Sequence, residues 1–426
     1  MAILVENAKI VDGTGDKAYI GSVYIEGEKI QKILREEKQI KEFECKADKI
    51  IHAEGLVCSP GFIDTHSHSD LEVLSKPELL PKLHQGITTE VLGQDGVSMA
   101  PLPLQYIEAW KKNIAGLDGK NDEIDWNYKD TEHYLNMIEK VQPALNECYL
   151  LPHGNVRMEA MGLEDREATK EDIKKMCEIT RREMEKGCIG LSSGLIYMPC
   201  AYSKTEELIE MCKVVKEYNG LFVVHQRSEA DTILDSMEEI IRIGRESGVH
   251  IHFSHFKVCG KSNWDKLDKM FEILDKAKKE NIEVSLDQYP YIAGSTMLGV
   301  ILPPWVHDGG TDKLIERLKD EKLRAKMKED INGIPGWDNF IEFAGTEGIY
   351  ITSVATEKNQ DVVGLSLDEL GKKKGREALD ATFDLLLEEK NAVGMVDFYG
   401  VEEHVKKIIK RPEMNACTDG LLSGKP

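Results

Sequence analysis

No apolar run in the chain approaches the roughly 20 residues that a bilayer crossing needs, which argues against a membrane-spanning protein. An excess of basic residues is missing too. The formal net charge is −21, and an acidic surface repels phosphate backbones and anionic headgroups, so neither nucleic acid nor membrane is an expected partner. An anionic substrate would need a local positive site working against that field. The nine cysteines (45, 58, 148, 177, 188, 200, 212, 259 and 417) include no C-x-x-C pair, and their odd number fits reduced thiols better than a disulfide framework. The opening residues Met1 to Glu6 lack a basic stretch and do not read as a signal peptide. Together these absences point to a cytoplasmic protein. No internal repeat or low-complexity linker divides the chain.

What is present falls into two textures. Residues 1–58 read as short strands: Ile3-Leu4-Val5, Ser22 to Ile25, an alternating run Lys29 to Ile33 after a Glu26-Gly27-Glu28 turn, then Lys49 to Ala53 and Gly55 to Cys58. Such a sheet is too thin to stand alone. From residue 59 to 426, apolar strand runs alternate with amphipathic helical stretches. The strands expected are Phe62–His66, Thr88–Leu92, Cys148–Pro152, Ile189–Ser192, Leu221–His225, His250–His255, Glu283–Asp287 and Asn415–Asp419. Helices are expected at Glu171–Lys186, Thr205–Tyr218, Asp231–Ser247 and Trp264–Asn281. Eight β/α units in one parallel sheet close most economically into a barrel, so the expected fold is α/β, a (β/α)₈ TIM barrel. Two gaps, near 99–147 and 296–412, are too long for a plain helix and read as insertions.

Active sites of such barrels lie at the C-terminal ends of the strands, so the polar residues ending those runs are the candidates. His66 and His68, at i and i+2, would share one face of a strand and offer two nitrogens to one metal. His225 and His255 end two successive strands one β/α repeat apart. Asp95, between glycines just past the second strand, is expected to bridge the two histidine pairs. Asp419, followed by Gly420, has the reach and room of a general base. His153 also ends a strand but is set aside. On strand parity Lys257 points inward beside His255, where it could hold a substrate carboxylate, while His250 and His252 face the helices and are excluded. Gly190-Leu-Ser192-Ser-Gly194 matches the G-x-S-x-G nucleophile elbow, but that motif needs a helix directly after the serine and Pro199 disfavours one. Its glycines more plausibly let a loop cross the barrel mouth.

These residues resemble the amidohydrolase superfamily and, within it, the D-aminoacylase (N-acyl-D-amino-acid deacylase) family. The resemblance rests on Pro60-Gly-Phe-Ile-Asp-Thr-His-Ser-His-Ser-Asp70, Gln85-Gly-Ile-Thr-Thr89, His153-Gly-Asn-Val-Arg157, Gly190 to Pro199, His225-Gln-Arg-Ser-Glu229, Ser254-His-Phe-Lys257, Asp287 to Thr296 and Cys417-Thr-Asp-Gly420. It implies a barrel holding one or two zinc ions and a small β-sandwich built from both chain ends. Its implied ligands are His66, His68, His225 and His255, with Asp419 as catalytic acid/base. Lys257, Tyr289 and Ser295 would grip the carboxylate of a small N-acylated amino acid. The implied reaction is hydrolysis of an N-acyl-D-amino acid to a carboxylate and a D-amino acid. The alternatives are a cyclic amidase of the dihydropyrimidinase or hydantoinase kind, or an inactive truncated chain. Two departures stand out. Asp95 occupies a loop position where the family carries Cys, and a carboxylate is a harder ligand than a thiolate. The chain also stops at Pro426, before the family's arginine, last barrel helix and returning strands, so half of the sandwich is expected to be missing.

Overall fold

A computed structural model describes residues 1–117, 121, 124–333 and 337–422. The chain separates into two compact units, Met1–Phe62 and Ile63–Pro426.

The first unit is one sheet. Strands β1 (Ala2–Ile10), β2 (Tyr19–Glu26), β3 (Lys29–Leu34) and β4 (Lys49–His52) lie in the order β3-β2-β1-β4, with β5 (Val57–Cys58) also paired to β1. One difference from the sequence reading appears. A helix, Glu37–Glu44, interrupts what was expected to be strands throughout; its Ile40 and Phe43, three apart and so on one face, pack against Ala2, Leu4, Tyr24 and Leu34. Residues 2–58 therefore form the single small sheet expected of them, with a helix on one face. Ile20, Ile30, Leu56 and Val57 remain exposed.

The second unit opens with β6 (Phe62–Asp64), β7 (Ser67–His68), β8 (Ile87–Leu92) and β9 (Asn146–Tyr149), and β6, β8 and β9 lie side by side. The ladder continues past Leu150 into β10 (Leu151–Pro152), β11 (Gly190–Gly194), β12 (Leu221–His225), β13 (His250–Phe253) and β14 (Val284–Gln288), all parallel. After the insertion strands β15 (Gly294–Met297), β16 (Ile349–Val354) and β17 (Val393–Asp397) come β18 (Met414–Ala416), parallel to β14, and β19 (Gly420–Leu421), parallel to β7. The Asp419 amide donates to the His66 carbonyl at 2.9 Å, joining the last strand to the first. The ring is thus the expected (β/α)₈ barrel, and each of the eight expected strands contributes to it.

Amphipathic helices cover the outside. In Ile233–Ser247 the buried residues Ile233, Met237, Ile240, Ile241 and Gly244 form one stripe. A Cβ on Gly244 would lie 2.7 Å from Ile251 Cγ1, so this helix rides directly on β13 and Ile251 faces outward. That corrects the expected parity. His252, next to Ile251, points to the barrel interior, where its Nε2 lies 2.8 Å from Asp287 Oδ2. The chain turns after Phe253, and His255 adopts a left-handed φ of 36°, so alternation cannot be extended from the strand to His255. Within the expected 296–412 insertion, β15, β17 and β16 form a separate antiparallel sheet with an apolar core of its own, including Leu298, Ile301, Phe383 and Met395.

One charge arrangement in the barrel wall has a consequence for stability. Glu90 on β8 sits directly across from Glu147 on β9. Burial, then the neighbouring Glu90 carboxylate, pushes Glu147 up to about 9, so it stays protonated near neutral pH. A carboxyl raised in the fold stabilises most below its ordinary value of 4.5, and that contribution is lost as pH rises through about 9. Glu147→Gln keeps the shape of the neutral acid. Its unfolding free energy should fall less than that of the unsubstituted chain between these pH values, as measured by denaturant titration.

Candidate metal centre

Six side chains converge at the C-terminal mouth of the ring: His66, His68, Asp95, His225, His255 and Asp419. They form three overlapping donor groups, His66–His68–Asp95, His66–His255–Asp419 and Asp95–His225–His255, each with its ligand atoms within 4.8 Å of one another. Local backbone geometry aims them. His66 and His68, two residues apart, are both buried in the ring. His225 is the last residue of β12. Asp95, His255 and Asp419 all sit at left-handed φ (55°, 36° and 50°), each where the chain leaves a strand and turns back over the mouth.

Asp95 lies between the others. Its Oδ1 is 3.7 Å from Nε2 of both His66 and His255, and its Oδ2 is 3.6 Å from His68 Nε2. Asp419 Oδ1 is 3.5 Å from His66 Nε2 and 3.3 Å from His68 Nε2. His225 Nδ1 and His255 Nε2 are 2.9 Å apart. Several of these atoms are buried with no hydrogen-bond partner among the described residues: both ring nitrogens of His66, Asp95 Oδ1 and His225 Nε2. Native interiors rarely leave polar atoms so. A divalent cation in the cluster would take up His66 Nε2 and Asp95 Oδ1 together, whereas His66 Nδ1 faces Asp287 and His225 Nε2 faces Glu229. Nitrogen and carboxylate donors at this spacing suit such an ion.

Electrostatics agree. Burial opposes ionisation of Asp95 and Asp419, yet the surrounding histidines, His66 foremost, hold both well below the usual carboxylate range. Burial takes His225 down to about 4, leaving the neutral imidazole that ligation requires. For His255, burial and Lys257 work downward but Glu229 and Asp95 outweigh them and raise it to about 10. The cluster thus offers two ionised carboxylates and a neutral His225 imidazole as donors.

The other expected site residues are placed differently. Tyr289 and Ser295 line, with Asp419, a cleft of about 770 Å³. The Tyr289 hydroxyl bonds that of Tyr399, and Ser295 Oγ donates to the Met395 carbonyl at 2.9 Å. Lys257 does not line this cleft; its ammonium lies 2.7 Å from both a Glu229 carboxylate oxygen and His255 Nδ1. His153 stays outside, buried between Ser193 Oγ at 2.9 Å and Glu207 Oε1 at 2.8 Å. Ser192 bonds the Gly93 carbonyl and accepts from the Gly96 amide at 3.1 Å, so it braces the Asp95 loop.

Sequence reasoning missed Asp287 and Glu229. Asp287 ends β14's inward-facing run and accepts from Thr65 Oγ1 at 3.3 Å and from the His255 amide; its Oδ2 lies 3.9 Å from His66 Nδ1. Its position at a strand end was the available signal. Glu229 lies in a loop beyond β12, where no periodicity applies, and had no such signal.

A model of the amidohydrolase family matches residues 49–327. The chain belongs to that family. Similar proteins include a D-aminoacylase and two N-acyl-D-amino-acid deacylases. The D-aminoacylase of Alcaligenes xylosoxydans xylosoxydans is 36% identical over 58% of this amidohydrolase chain and 50% of its own length. The N-acyl-D-aspartate deacylase of the same organism is 32% identical over 69% of this chain and 57% of its own. The chain thus spans 50% and 57% of the length of these two relatives. The solved N-acyl-D-glutamate deacylase of Bordetella bronchiseptica, complexed with zinc and a phosphonate mimic of the tetrahedral intermediate, superposes with a TM-score of 0.80 at 27% identity, covering 99% of this chain and 76% of that one. A D-aminoacylase structure described for its binuclear metal centre gives a TM-score of 0.77 at 27% identity, covering 98% and 76%.

Because a Cβ on Gly194 would fall 2.4 Å from the Asp95 carbonyl oxygen, Gly194→Ala must displace the Asp95 loop. Zinc affinity, read by chelator competition, should fall by about tenfold, the scale on which misplaced ligand supports act.

Proposed function

We propose that this amidohydrolase hydrolyses N-acyl-D-amino acids to a carboxylate and a D-amino acid, using a zinc centre of one or two ions held by His66, His68, Asp95, His225 and His255. The observation that carries the reading is the convergence of four histidines and two aspartates on one barrel mouth, with buried donor atoms left unsatisfied. The named activities of the D-aminoacylase and of the D-aspartate and D-glutamate deacylases support the substrate class. Zinc, when bound, polarises the amide carbonyl and lowers the pKa of water beside it.

The chain's own residues do the rest. Asp419 is held ionised by His66 and His68, so its carboxylate can take a proton from water and pass it to the leaving nitrogen. Asp95, with its two oxygens facing different histidines, would serve as a further ligand of the metal. Tyr289 and Ser295 would receive the substrate carboxylate, a role supported by their sharing a cleft with Asp419. Lys257 would add positive charge behind them, in balance with Glu229. The nine free cysteines accord with a cytoplasmic setting, and among the described residues no helix is long and apolar enough to cross a membrane.

Asp419→Asn should abolish turnover of N-acetyl-D-amino acids while leaving zinc per chain unchanged by metal analysis. Unaltered turnover would remove Asp419 from the mechanism. In a panel of N-acyl-D, N-acyl-L and cyclic amide substrates, the D series alone should be cleaved; cleavage of cyclic amides alone would assign the site to a cyclic amidase.

A further inference from the structure

At the edge of the cleft that holds Asp419 lies a nearly buried ammonium that the chemistry above does not use. Lys82, on the short helix Leu80–Leu83, is only 2% exposed. Its Nζ donates to Asp64 Oδ2 at 2.5 Å, Ser67 Oγ at 2.8 Å and Thr418 Oγ1 at 2.8 Å. The Glu90 carboxylate, 3.4 Å away, completes the surroundings. Asp64 in turn accepts from the Thr418 amide at 2.8 Å and the Thr418 hydroxyl at 2.6 Å. The Thr418 hydroxyl also accepts from the Gly420 amide at 3.1 Å.

The placement of these partners matters more than their number. Ser67 sits between His66 and His68. Thr418 immediately precedes Asp419, and Gly420 immediately follows it. Asp419 itself holds a left-handed φ of 50°, a conformation that a non-glycine residue keeps only where its surroundings impose it. One buried cation and one threonine hydroxyl therefore fix both flanks of Asp419 and the residue between the two histidines it faces.

We propose that Lys82, acting through Asp64 and the Thr418 hydroxyl, is a positioning residue for Asp419. The clip sets where the Asp419 carboxylate stands relative to His66 and His68; Lys82 and Thr418 border the same cleft as Asp419, and their part is to hold that carboxylate. This rests on the deacylase reading for its effect on rate, but its effect on geometry is independent of that reading. Misplacing a reacting group by about an ångström costs on the order of tenfold to a hundredfold in rate. Removing Lys82 outright would leave Asp64 and Glu90 buried and unpaired and could unfold the chain, so the informative changes are at Thr418.

Thr418→Val deletes the hydroxyl at constant shape; Thr418→Ser restores it. With N-acetyl-D-amino acids, Thr418→Val should lower kcat by about tenfold or more, with KM, metal content and melting temperature close to those of the parent, while Thr418→Ser stays within about twofold. A kcat for Thr418→Val within about twofold of the parent overturns the proposal, as does an equal loss in Thr418→Ser. If the parent chain turns over none of these substrates, the deacylase reading fails, and the clip is judged on the cobalt(II)-loaded chain. A visible absorption band shifted in Thr418→Val but not in Thr418→Ser supports it; an unshifted band overturns it.

Discussion

Closure of the ring between its first and last strands is the constraint on which the site depends. Eight parallel strands have no free edge only if strand one meets strand eight, and here that junction carries most of the chemistry. The Asp419 amide bonds the His66 carbonyl, β19 runs beside β7, and Lys82 with Asp64 ties Thr418 to the same seam. His66, His68 and Asp419 are therefore neighbours because the sheet closes. A barrel that failed to close would lose its site first.

The other ligands are brought in by the same topology. Adjacent strands β12 and β13 deliver His225 and His255, and the loop after β8 is folded back across the mouth to place Asp95 between the pairs. That loop fits because glycines lie where side chains would collide: Gly194 under the Asp95 carbonyl and Gly96 against Cys200. The G-x-S-x-G pattern is thus a packing requirement of a crossing loop, and Ser192 is part of its bracing.

Much of this was legible in the sequence because period and position carry it. Alternating apolar runs announced the eight strands, and a histidine at the end of an apolar run is conspicuous when four such residues recur. Expectation failed where periodicity ends. His252 was assigned to the wrong face because alternation was counted backward from His255, across a turn that breaks it. The helix Glu37–Glu44 was missed because its apolar face is two residues in a charged stretch. Glu229 and Asp287 were overlooked because neither belongs to a motif; their roles come from what they touch, His255 and Lys257 for one and His252 and Thr65 for the other.

Three of the six donors, Asp95, His255 and Asp419, occupy backbone conformations that favour glycine. Each such residue costs on the order of 1 kcal/mol relative to a relaxed backbone. Glycine at any of the three would relieve that cost and offer no donor atom. Selection for a more robust fold and selection for a working centre therefore pull in opposite directions at the same three residues. A library screened for thermal endurance alone would be expected to erode this site from its turns inward.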